Sequence, residues 1–169
     1  MKKLAIILCM CICLTACASQ ETFETISDEL VPDAVSPLRE VMIALPEEAV
    51  VPVSQTDTAA LYHCDGYELM LQTLPGGDLD ATIRDLTGFG REDTALVQTS
   101  PGDYKRFDLV WTSMGESGEQ VGRASILDDG NYHYVLSVLA DADHAAQCSE
   151  SWEVIFSSYA LGEYCSMAS

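Results

Sequence analysis

Hydrophobic and polar positions along the 169-residue chain fall into three regimes. Residues 4–13 (LAIILCMCIC) are an unbroken apolar run that follows Lys2 and Lys3. Residues 18–37 (ASQETFETISDELVPDAVSP) carry many acids, two prolines and no sustained periodicity. From Leu38 onward, apolar residues recur at spacings of two or of three to four, the spacings that build strands and helices.

Residues 41–45 are a short apolar run stopped by Pro46, and residues 49–53 are another, broken at Pro52. Residues 59–63 and 67–74 predict two strands joined by a hairpin at Asp65-Gly66. This corner of the chain is expected to make two to four short strands. Pro75-Gly76-Gly77 then breaks the pattern, and Asp78 is placed to cap a helix. Leu79, Ile83 and Leu86 follow at i, i+4 and i+7, and Gly88 fits the position just past the helix end.

Four strand-like segments come next. Residues 95–100 end at Pro101-Gly102. Residues 104–113 alternate Phe107, Leu109 and Trp111 onto one face. Residues 120–127 pair with residues 132–140 across Asp128-Asp129-Gly130-Asn131, a tight-turn signature. Tyr134, Leu136 and Val138 share one face of the last segment, with Val135 and Leu139 on the other. Apolar residues on both faces predict a central strand covered on both sides.

The last element is a helix capped by Asp141 or Asp143. Its stripe is Ala145, Cys148, Trp152, Ile155 and Tyr159, widened by Phe156, and the Trp152–Ile155–Tyr159 face is expected to pack on the sheet. Gly162 is expected to end this helix, leaving residues 163–169 as a loose tail. The predicted fold class is α+β. A mostly antiparallel sheet, a helix after the N-terminal strands, a strand meander and a C-terminal helix make one domain over residues 38–162.

The N-terminal run changes the picture of where this domain works. Two lysines, an apolar core and small residues after it are the parts of a secretory signal. Leu14-Thr15-Ala16-Cys17 closes the run with a leucine three residues before a cysteine and two small residues between. This resembles the lipobox read by lipoprotein signal peptidase. It implies a signal peptide over residues 1–16, with diacylglycerol carried as a thioether on Cys17. The run is too short for a span, which takes about 20 apolar residues. Two acyl chains suffice for stable anchoring where one would not. The expected location is therefore extracytoplasmic, at the bacterial cell membrane, with residues 17–37 as lipidated cysteine and acidic tether.

The chain has 8 Lys+Arg against 27 Asp+Glu. Loss of Lys2 and Lys3 with the signal leaves 6 against 27, a formal net charge of −21. Such a field repels phosphate backbones and excludes nucleic acid as a partner. Solubility explains most of it. A cationic ligand, a basic envelope protein or loosely held divalent cations are the partners it would admit. Of seven cysteines, Cys9, Cys11 and Cys13 leave with the signal and Cys17 takes the lipid. Cys64, Cys148 and Cys165 remain. Export permits one disulfide among them, and the spacing leaves all three pairings open.

The candidate chemistry is sparse. Neither G-x-S-x-G nor S-x-x-K occurs in the mature chain. Cys64 follows His63, but neighbours on a strand point to opposite faces, so a thiol–imidazole pair would need the distant His133 or His144. His63, His133 and His144 lack metal-ligand spacing. Asp141-Ala142-Asp143 begins like a calcium loop but has Ala145 at position five and Trp152 at twelve. Pro75-Gly76-Gly77 before a helix invites phosphate, but Asp78 and Asp80 put negative charge there. No catalytic residue, metal ligand or cofactor is assigned on these grounds; the only site residue is Cys17.

The order of elements, with Ser151-Trp152-Glu153-Val154-Ile155-Phe156 in the terminal helix, resembles the PsbP-like α/β/α sandwich over about residues 38–161. The stretch GRASILDDGNYHYVLSVLADAD before that helix is similar to lipoproteins of gut Firmicutes. PsbP-like domains act mostly as accessory proteins that bind and stabilise partners. The resemblance implies a non-enzymatic binding or accessory role in the cell envelope. The alternatives are a divalent-cation-binding surface protein, and a hydrolase or thiol enzyme using Cys64 or a carboxylate pair.

Overall fold

The computed structural model describes residues 36–164, apart from 50 and 117. Its strands are β1 (Arg39–Met42), β2 (Ser54–Gln55), β3 (Ala59–Cys64), β4 (Tyr67–Pro75), β5 (Ala95–Thr99), β6 (Lys105–Met114), β7 (Glu119–Asp128), β8 (Tyr132–Asp141) and β9 (Ala160–Tyr164). Two α-helices interrupt them, α1 (Leu79–Thr87) and α2 (Ala142–Ser158). Seven strands form one antiparallel sheet in the order β2-β3-β4-β8-β7-β6-β5, and β1 pairs with β9 in a separate ribbon. The fold is α+β with a mostly antiparallel sheet, as the periodicity predicts.

Strand β8 lies in the middle because both of its faces are apolar. Tyr134, Leu136 and Val138 join Leu69, Leu127 and the α2 stripe of Cys148, Trp152, Ile155 and Phe156. Val135 faces the other way, with Phe107, Leu109, Trp111, Ala124 and Ile126 under Ile83 of α1. The sheet is thus covered by α2 on one face and α1 on the other. A fully buried side chain of the Ile or Phe type contributes about 1.5–3 kcal/mol, so the two stripes are the main reason the helices stay docked.

Helix α1 follows its sequence signals closely. The Asp78 carboxylate accepts from the amides of Asp80 and Ala81, and Gly88 closes the helix at φ 76° with its N–H donating to the Arg84 carbonyl. A side chain in that left-handed conformation would be strained.

The corner before α1 holds four strands, β1 to β4, within the two to four expected. There a 3-10 turn (Glu47–Ala49) buries Ala49, and Ser54 and Gln55 pair to β3. Val41 and Met42 of the 41–45 run pair with β9. Two expectations are corrected. Gly162 does not end the last helix, which stops at Ser158. The helix-terminal carbonyls are capped from outside: Arg106 donates from Nη2 to Phe156 O (2.8 Å) and from Nη1 to Tyr159 O (2.9 Å), so no left-handed glycine is required there. Finally, Glu163 and Tyr164 of the expected tail belong to β9.

Candidate functional site

A cleft of about 440 Å³ opens at the end of the sheet where the β3–β4 hairpin, the end of β8 and the first turn of α2 meet. Consecutive residues of β3, His63 and Cys64, both line it. His63 lies directly opposite Glu68 in the register, and its Nδ1 is 3.3 Å from the Glu68 Oε1. Cys64 points to the opposite face, toward α2, and packs against the apolar cluster that holds Cys148. His144, from the first turn of α2, lines the same cleft as Cys64. Asp141 stands at the N-cap of α2 and its Oδ1 accepts from Gln120 Nε2 at 3.4 Å.

His63, Cys64 and His144 therefore line one cleft, and His133 lies elsewhere. His133 is buried with its Nδ1 2.8 Å from Thr82 Oγ1, tying α1 to β8. Burial pulls its pKa below the ordinary 6.5, against the upward pull of Asp128 and Asp129. Cys148 sits under the hairpin, its Sγ 3.6 Å from the Asp65 carbonyl. Burial, helped by the Asp65 charge, raises its pKa, which keeps it a thiol at neutral pH.

The acidic segments serve local structure. In Asp128-Asp129-Gly130-Asn131, Asp128 Oδ1 accepts from the Gly130 amide, Asp129 Oδ1 accepts from the amides of Asn131 and Tyr132, and Asp129 Oδ2 accepts from Tyr134 Oη. Burial lifts the Tyr134 phenol to about 12. Among the described residues, no three His, Cys, Asp or Glu side chains converge where a metal ion would sit. Cys17 lies outside the described residues, and no described helix is long and apolar enough to cross a membrane.

The periodicity alone did not reveal a second feature, the edge formed by β5. The sheet ends there: β5 pairs with β6 on one side, and among the described residues no strand lies on the other. Its residues Ala-Leu-Val-Gln-Thr carry no charge; Val97, opposite Asp108 in the register, is 62% exposed, and Val110, opposite Ala95, is 44% exposed. Helix α2 packs over β4, β7 and β8 and leaves this outer margin uncovered. The opposite edge is blunted, because β2 has only two residues. Proteins usually shield a long uncharged edge, since its open N–H and C=O groups template pairing with another chain.

The chain matches no protein-family model and no curated protein. Among solved structures it is similar to a Bacteroides thetaiotaomicron VPI-5482 protein at TM-score 0.50 and 11% identity, over 73% of this chain and 45% of that one. It thus spans less than half the length of that protein. It also aligns with PA94, a Pseudomonas aeruginosa protein of unknown function, at TM-score 0.41 and 10% identity over 68% and 92% of the two chains. The Saccharomyces cerevisiae Ran-binding protein Mog1p aligns at TM-score 0.48 and 10% identity over 75% and 96%. At such identities the first likeness speaks to the fold alone, and the other two fall below the level that carries any argument.

Proposed function

We propose that this chain is a bacterial lipoprotein, held at the outer face of the cell membrane by lipid on Cys17, whose PsbP-like α+β domain binds an envelope partner and carries out no chemistry of its own. The β5 edge is the observation that carries this reading. It offers an extended segment of a partner five residues of open backbone, with Val97 and Val110 as an apolar shelf beside it. The mature charge of −21, with Glu92 and Asp93 just before the strand, favours a segment with basic flanks. The carboxylates and imidazole described above are engaged in turns, caps and ion pairs, which supports binding over catalysis.

Two experiments test it. A photo-crosslinking residue at position 97 of the full chain in living cells should give one discrete adduct with an envelope protein, while position 55 on the blunted edge gives none. Val97→Lys should abolish pairing at position 98, and added salt should weaken it. An equal adduct from both edges, or none, overturns the docking reading. For the anchor, Cys17→Ala should lose the diacylglycerol mass and leave the detergent phase; unchanged mass and partitioning would overturn it.

A thiol-based activity in the cleft is a second reading, favoured by Cys64 and His144 lining one space. It requires that Cys64→Ser removes a measurable turnover while the chain stays folded.

A further inference from the structure

We propose that Cys64 and Cys148 are the redox pair of this domain, joining by a disulfide that staples the β3–β4 hairpin to α2, while Cys165 stays out of the bridge. Three pairings are open on spacing alone, and the fold supports one of them. The Cys148 Sγ meets the carbonyl of Asp65, the residue after Cys64, and lies 3.5 Å from where a Cβ on Gly66 would stand. Cys148 belongs to the buried apolar cluster and Cys64 packs against it, one on each side of the hairpin–helix seam. A disulfide asks for Cα atoms about 4.4–6.8 Å apart, so formation of the bridge reports whether the seam closes to that span.

The step needs a disulfide oxidant, and oxidised glutathione serves in the test. The half-buried Cys64 sulfur, as thiolate, attacks the oxidant and forms a mixed disulfide, releasing one glutathione thiol. Cys148 then loses its proton to water and displaces the second glutathione. Two protein thiols are oxidised and one glutathione disulfide is reduced to two thiols. In the oxidised protein Cys64 is drawn from the cleft, so the cleft presents a thiol only when reduced.

The test uses the mature lipoprotein in detergent, equilibrated with oxidised glutathione, quenched in acid, alkylated, and cut with trypsin and a glutamyl endopeptidase that separates Cys148 from Cys165. One crosslinked peptide joining Cys64 to Cys148, with Cys165 alkylated, is expected. Cys148→Ala should leave Cys64 as a mixed disulfide. The bridged form should melt about 10 °C above the reduced one, since the bridge closes a long loop. A bridge to Cys165 from either thiol, or alkylation or glutathionylation of both Cys64 and Cys148 without a bridge, overturns the proposal. The pairing is independent of the β5 edge, so its failure would leave the docking reading standing.

Discussion

The Trp111 indole lies flat across the backbone of Gly122, its direct partner in the β6–β7 register. A Cβ built on Gly122 would stand 2.2 Å from Cε2 and Cζ2 of the ring, closer than two non-bonded carbon atoms tolerate. Gly122→Ala is therefore expected to drive the indole outward and cost about 1–3 kcal/mol, the usual range for overpacking. Urea unfolding measures the loss, and a red-shifted tryptophan emission reports the displaced ring. In a Trp111→Ala background the Gly122→Ala penalty should shrink to a few tenths of that.

Arg106 joins β6 to the end of α2. Its Nε and Nη2 donate to Asp108 at 2.9–3.0 Å, while its Nη atoms hold the Phe156 and Tyr159 carbonyls. Arg106→Met keeps the stem and removes every donor. About 2–3 kcal/mol of stability should be lost, because two helix-terminal carbonyls and a carboxylate lose partners in a partly buried place. Hydrogen exchange should show the last turn of α2 opening before the rest. Arg106→Lys should recover only part, since an ammonium lacks the fork.

His133 makes stability depend on pH in a defined direction. Its folded pKa lies below 6.5, so the fold holds the neutral ring and the unfolded chain takes up the proton first. The stabilisation is fully present above pH 6.5 and is lost as pH falls through 6.5 toward the folded value. Melting curves between pH 8 and pH 5 should show a steeper fall for the wild type than for His133→Gln. Equal slopes would show that another group governs this window.

Asp78 caps α1 through two amide hydrogen bonds. Asp78→Ala should cost about 1 kcal/mol, and Asp78→Asn should retain most of it. Far-ultraviolet circular dichroism and chemical unfolding check both.

What could be read from residue patterns was the part of the fold made by local periodicity. Phe107, Leu109 and Trp111 alternate, Leu79, Ile83 and Leu86 recur, and Asp78 and Gly88 punctuate their helix; each signal lies within a few positions of its neighbours. The β1–β9 ribbon was not readable, because it joins residues more than a hundred positions apart in two short strands with no alternation of their own. Gly162 misled for a related reason: the cap it was expected to supply comes from Arg106, some 50 positions away. His144 and Cys64 share a cleft through the same kind of distant apposition. The segment containing β5 was evident as a strand, but its place at the sheet edge depends on strand order, which no local pattern encodes.

Consider what the β1–β9 ribbon does under mechanical load. Traction applied at Ser36 meets first the Tyr132 hydroxyl, which donates to the Ser36 carbonyl, and the Tyr134 hydroxyl, which accepts from the Arg39 amide; next come the two short strands that pair Arg39 with Tyr164 and Met42 with Ala160. The load reaches these few bonds before it reaches the long ladders of the seven-strand sheet. The ribbon is thus expected to give way as the first, small extension when a single molecule is pulled from its N-terminal side, ahead of the main sheet.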